Sequence, residues 1–159
     1  MGVLFGPSNW WQANLVSACP EGTFLPDGSS IICKSGGTAW IVAPACTQVS
    51  SQWAGGQYNS TQVGDKCCIS EWSGLQTALI NYGFNPDDWF VPSASQLQNP
   101  GYVCRTNWDS FSSTSPYWSS TENSAPCAFC VSFCFNGCTG GLGFKTFTNC
   151  VRAFRCVTY

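Results

Sequence analysis

The residues with the most chemistry to offer are twelve cysteines, in a chain of 159 residues that contains no histidine. Cys127, Cys130, Cys134 and Cys138 follow one another at C-x2-C-x3-C-x3-C spacing, enough thiolates for a tetrahedral zinc site. Zinc knuckles sit on tight turns, however, whereas these four lie along an alternating, strand-like stretch. Cys130 and Cys134 would stand about 13 Å apart by strand rise, too far to share one ion. No metal or other cofactor is therefore expected. Disulfides suit the cysteines better, because an even number at this density marks an oxidising destination. If residues 128–135 pair with 150–157 as a hairpin, Cys130 or Cys134 faces Cys150 or Cys156 across the ladder. Buried thiols that pack as small hydrophobes are the competing use. Cys67 and Cys68 are adjacent, so they point to opposite faces of any strand and toward different partners.

The missing histidine removes the commonest general base and metal ligand together. Ser–His and Cys–His catalysis are excluded, leaving only Ser–Lys, carboxylate or all-cysteine chemistry. The best binding candidate is instead the glycine-flexed connection 136–149. It offers Asn136, Thr139, Phe144, Lys145, Phe147, Thr148 and Asn149, an aromatic-plus-amide set suited to glycan or protein recognition. An ordinary exposed hairpin loop is the plainer reading of the same stretch.

The elements that must position these residues follow from local pattern. Asp27-Gly28 between 23–25 and 31–33 signals a short hairpin. Residues 40–43 form a buried strand stopped by Pro44. Ser70 caps a helix whose face is Trp72, Leu75, Leu79 and Ile80 and whose end is Gly83. A short strand at 89–91 leads to a capping-box pattern, Ser93 to Gln96, which opens a second helix with Leu97 inward. Residues 116–122 form a strand. Along 128–135, Phe129, Val131, Phe133 and Phe135 alternate with Ala128, Cys130, Ser132 and Cys134. The last strand, 150–157, sets Val151, Ala153, Arg155 and Val157 against Cys150, Arg152, Phe154 and Cys156. Residues 1–32 read as a lead-in segment and 33–159 as the domain. Trp10 and Trp11 are too apolar for a free tail, so they either fold back or dock on a partner chain.

Composition narrows the function. Only 9% of residues are charged, against about 25% in an average soluble protein. Six scattered cations and a net charge of −2 do not make a phosphate-binding groove, so nucleic acid is excluded as a partner. High aromatic content with low net charge argues against disorder. No run approaches a membrane span, and Pro7, Ser8, Asn9, Gln12 and Asn14 break the apolar stretch a signal peptide would need. A chain made in a host cytoplasm and finished outside, in a particle released by lysis, reconciles this with the cysteines.

Three segments, in order, resemble the Lcl C-terminal domain family of the C-type-lectin-like and formylglycine-generating-enzyme-like superfamily. They are Trp89-Phe-Val-Pro-Ser-Ala-Ser-Gln-Leu97, Tyr117-Trp-Ser-Ser-Thr-Glu122 and Val151-Arg-Ala-Phe-Arg155, the last preceded by the strand Ala128 to Gly137. The likeness covers about residues 36–159, and the lead-in is similar to structural proteins of tailed phages of marine cyanobacteria. It departs from the family in having Gln96 for the usual Glu and in its cysteine density. It implies an α+β, C-type-lectin-like fold: two helices against a twisted antiparallel sheet, with paired termini and an N-terminal extended segment. Asn85-Pro86-Asp87-Asp88 and Asn107-Trp108-Asp109 only echo the calcium and sugar motifs of C-type lectins and read as turn and cap residues. Tyr117, Trp118, Arg152 and Arg155 read as structural, with Glu122 the nearest carboxylate for an arginine.

The expectation is therefore a non-enzymatic virion protein, a tail-fibre or adhesion component. Its N-terminal segment would hold other virion proteins, and its loops would meet a host-surface glycan or protein. A homotrimer is expected by analogy with fibre tips. The alternatives are a capsid or tail decoration protein and a secreted formylglycine-generating-type enzyme, although that enzyme's paired-cysteine signature is not recognisable here.

Overall fold

A computed structural model describes residues 9–134 and 139–159. In chain order the elements are helix α1 (Asn9–Ala18), β1 (Ser30–Ser35), β2 (Thr38–Val42), β3 (Val49–Ser51), helix α2 (Ser73–Tyr82), a single helical turn α3 (Ala94–Gln96), β4 (Tyr117–Glu122), β5 (Cys127–Ser132), β6 (Thr139–Phe144), β7 (Asn149–Val151) and β8 (Phe154–Thr158). The fold is α+β. One sheet has the order β1-β2-β8, the other β3-β7-β4-β5-β6. Every pairing is antiparallel except β4 with β7, which meet in parallel at Tyr117 and Cys150.

The first sheet is a hairpin closed by the far end of the chain. Gly36 and Gly37, at φ 57° and 79°, make the two-residue turn whose twist suits adjoining strands. β2 then pairs along its length with β8, from Thr38 with Thr158 to Val42 with Phe154. The Asp27-Gly28 hairpin is present in short form: Gly22 N–H reaches Ile31 O at 2.7 Å and Ile31 N–H reaches Thr23 O at 3.0 Å.

Residues that neighbour each other on a strand feed two different cores. Ile31, Trp118 and Val151 pack with Trp53, Trp72, Leu75 and Leu79. Ile32, Tyr117 and Cys150 pack with Trp108, Val131, Phe133 and Phe154. The sheets are thus covered on both faces, and each large apolar side chain fully buried there contributes roughly 1.5–3 kcal/mol. Within 128–135, Val131 and Phe133 enter one core and Ala128 and Cys130 the other; Phe135 lies outside the described residues.

Several expectations change. The stretch 150–157 is not one strand; it leaves one sheet after Val151 and enters the other at Phe154. The hairpin of 128–135 with 150–157 does not form, because β5 lies between β4 and β6. The local hairpin, with Cys127 opposite Phe144 and Ser132 opposite Thr139, needs a far shorter loop closure. The N-terminal segment is helical from Asn9 rather than extended. Val16 is fully buried, and the boundary drawn between 32 and 33 falls inside β1. Helix α2 begins at Ser73, behind a 3-10 turn Ile69–Glu71 that contains Ser70, so Ser70 is not its cap. Ile80 is 53% exposed, and the buried stripe is only Trp72, Leu75 and Leu79. Gly83 does end the helix, in the left-handed region at φ 106°. At 89–91 only Phe90 bridges, to Cys68 and Phe154. The capping box is complete: Ser93 N–H reaches Gln96 Oε1 at 2.9 Å and Gln96 N–H reaches Ser93 Oγ at 3.2 Å, so glutamine does the work of the usual glutamate.

Candidate binding surface

Of the stretch 136–149, the described residues 139–149 are a strand, a tight turn and the start of another strand. Its period of two decides what faces outward. Gly143 and Lys145 are buried, while Leu142, Phe144 and Phe147 are 56%, 54% and 52% exposed. Gly143 is required by close approach: a Cβ there would lie 2.8 Å from Trp118 Cη2. The indole of Trp118 therefore packs directly on the β6 backbone, and its Nε1–H donates to Ser51 O at 2.9 Å.

Lys145 pins the turn from below. Its ammonium donates to Glu122 Oε2 at 2.6 Å and Thr61 O at 2.9 Å, and it lies 4.7 Å from the Trp53 ring centroid. Its backbone N–H reaches Pro126 O at 2.8 Å, and its carbonyl accepts from Trp53 N at 3.1 Å. Glu122 accepts further hydrogen bonds from the backbone of Val63 and Gly64. Burial works to raise the Glu122 carboxyl, but the Lys145 hydrogen bond and those two backbone donors outweigh it, so the group is held below its ordinary range. Above this anchor the Phe144 and Phe147 rings meet edge to face at 5.4 Å. The Phe147 N–H bonds Phe144 O at 2.8 Å, closing the turn that holds them.

The structure divides the seven candidate residues. Phe144, Phe147 and Thr148 face solvent, whereas Lys145 and Asn149 are buried. Thr139, the first residue of β6, pairs with Ser132 of β5; its side chain and the whole of Asn136 lie outside the described residues. Leu142, not among the candidates, belongs to the exposed set. Trp10 and Trp11 lie within α1, and their side chains are also outside the described residues.

The other motif residues are interior. Tyr117, Trp118, Arg152 and Arg155 are all at most 8% exposed. Glu122 pairs with Lys145 rather than with an arginine. The Arg152 guanidinium is paired with Asp109 instead. It also donates from Nε to Ala43 O at 2.7 Å and from Nη1 to Ser110 O at 2.9 Å. Burial lowers its pKa, against the pull of Asp109. Gln48 Oε1 joins this network, accepting from Tyr117 Oη at 2.7 Å and from Arg152 Nη1 at 3.2 Å. Burial pushes the Tyr117 hydroxyl up to about 12. Arg155 lies 5.4 Å from the Trp89 ring centroid. Asn85 caps the turn Pro86–Asp88 through Asp87 N–H at 3.1 Å.

Of the four disulfide candidates, Cys130 faces Trp118 and Gly141 across its ladders, and Cys156 faces Trp40. Cys150 lies opposite Ser50, with Gln48 Nε2 3.6 Å from its sulfur. Cys134, half-buried, follows the end of β5. Cys130, Cys150 and Cys156 are free thiols, and their ladder positions do not set these three against one another.

A second concave surface escaped the sequence reading. Pro26, Asp27, Tyr82, Gly83 and Phe84 line an open groove of about 210 Å³. Tyr82 Oη donates to Asp27 O at 2.8 Å. Its ring stacks on Phe84 at 4.8 Å, which in turn meets Trp89 at 4.9 Å. The signal in the sequence is three aromatics around a glycine-terminated helix end, Tyr82 before Gly83 and Phe84 and Trp89 after it; the facing Pro26-Asp27 comes from a distant hairpin.

Neither a family model nor a curated protein matches the chain. Among solved structures it is similar to a crystal structure of a fimbrial protein from Bacteroides ovatus ATCC 8483, at 20% identity and a TM-score of 0.40. The overlap covers 57% of this chain and 20% of that one, so the chain spans about a fifth of its neighbour's length, and so loose a likeness assigns neither fold nor function.

Proposed function

We propose that the chain is a non-catalytic recognition domain of C-type-lectin-like fold, a tail-fibre or adhesion component of a phage particle, and that it meets a host-surface glycan or protein with the face around Phe144 and Phe147. The observation that carries this is the pairing of an outward aromatic couple with a buried ionic anchor directly beneath it. Exposed aromatics clustered on a fixed backbone are what a recognition surface needs, because little freedom is lost on binding. The strand β8 closing on the first hairpin is consistent with the paired termini of that fold. The interior charges support a non-catalytic role, since Lys145, Glu122, Arg152 and Asp109 are spent on one another and on backbone groups.

Adsorption of the fluorescently labelled full chain to intact cyanobacterial cells tests the reading. Phe144→Ser with Phe147→Ser should weaken adsorption about tenfold or more, with an unchanged far-ultraviolet spectrum. Equal adsorption by the variant and the parent chain would overturn it. Particles that carry the variant, adsorb normally and fall apart at lower temperature would point to decoration instead.

A further inference from the structure

Two cysteines away from this surface are brought together by an irregularity in the first sheet. Ile31 pairs with Ile41 and Cys33 with Trp40, so Ile32 is an extra residue in the β1–β2 ladder. In regular pleating Cys33 would share the face of Ile31, which belongs to the core containing Trp53 and Trp72. The bulge turns it over. Ile32 and Cys33 both pack instead on the core containing Trp108 and Phe133, and Cys104 packs there too. Cys33 lies close enough to Cys104 to act on its thiol, and both side chains pack against the same core.

The segment carrying Cys104 is fixed to β1 independently of the sulfurs. Asn107 Nδ2 donates to Ile32 O at 2.9 Å. Cys104 N–H is held by Pro100 O at 2.8 Å, and its carbonyl accepts from Asn107 N at 2.9 Å. Both backbones are therefore set before any bond forms between the thiols.

We propose that Cys33 and Cys104 are the two halves of a disulfide that ties the first hairpin to the segment preceding β4. It forms by exchange with a small-molecule disulfide such as oxidised glutathione. One protein thiolate attacks the glutathione disulfide and displaces a glutathione thiolate. The second protein thiolate then attacks the mixed disulfide and displaces the other. One S–S bond breaks, one forms, and the two thiol protons end on the two glutathione molecules. In the reduced chain, burial first and then the adjoining Cys33 push the Cys104 thiol up to about 12. Cys104 thus stays protonated at neutral pH.

The test is a peptide map of the full chain, equilibrated with oxidised glutathione and alkylated without reduction. The expected product is a Cys33 peptide linked to a Cys104 peptide, lighter than the sum of the two by two hydrogens. Under the same oxidising conditions Cys33→Ser and Cys104→Ser should each lower the melting temperature by roughly 10 °C, the scale for closing a loop of about 70 residues. The double variant should lose no more than either single one. Linkage of Cys33 or Cys104 to any other cysteine, recovery of both as alkylated thiols, or additive losses would overturn the assignment. Should the variants fail to fold, the map of the unaltered chain decides alone.

Discussion

At the residue scale, the Lys145–Glu122 pair shows how far side-chain roles depend on which way a strand faces. Both side chains are at most 4% exposed, so removing one partner leaves a buried charge behind. Lys145→Met should cost about 3–5 kcal/mol in urea unfolding, and combining it with Glu122→Leu should recover part of that loss. The pair also sets an acid limit. The folded carboxyl titrates below its ordinary 4.5, so the folded state binds that proton less readily than the unfolded chain. Its contribution is whole above about pH 4.5 and drains away as pH falls through the lower folded value. The unfolding midpoint should fall over that window in the parent chain and stay flatter in Glu122→Gln. In the sequence Lys145 belongs to the glycine-flexed connection 136–149, which marks it as a loop residue. The alternation Leu142, Gly143, Phe144, Lys145 already held the answer, but only for a reader who took the glycines as strand residues. The partner of Arg152 was harder to find: Asp109 is 43 positions away, and nothing local marks it.

At the element scale, legibility followed the range of the interactions. The Ser93–Gln96 box, the Gly83 stop and the Tyr117–Glu122 strand are fixed by neighbours in sequence and were readable. The break between β7 and β8 was not, because Val151 to Val157 keeps one unbroken period of two while its residues change sheets. β6 was read as a flexible connection for its glycines. Gly141 has open space around it and Gly140 meets the movable end of the Gln98 side chain, but Gly143 is required sterically, because it lies directly under the Trp118 ring. Gly143→Ala should therefore overpack the site and cost about 1–3 kcal/mol. Urea unfolding would read the cost, and the near-ultraviolet dichroism of Trp118 would report the displaced ring.

At the scale of the whole molecule, the two sheets are joined at Arg152-Ala153, where the chain crosses between them. Ala43 N–H binds Ala153 O at 3.0 Å, and Arg152 binds Ala43 O on the same stretch. The residues between β7 and β8 thus hold the end of β2. With both cores sharing strands, unfolding should be a single transition, seen at one midpoint by tryptophan fluorescence and far-ultraviolet dichroism. Arg152→Met should lower both signals together; a fluorescence transition that separated from the dichroic one would show two independent units. The α+β class is what the family resemblance implies, whereas the division into two sheets depends on a crossing with no local marker.

The outer position of β6 has a consequence for handling the protein. β6 ends the order of its sheet, and no described strand lies beyond it. Its 6 residues, TGGLGF, include none of the lysines or prolines that usually discourage strand-on-strand growth. Each molecule in a concentrated solution therefore carries an open template. Shelf life will be set by how often two such templates collide, and the same property offers crystal growers a ready lattice direction.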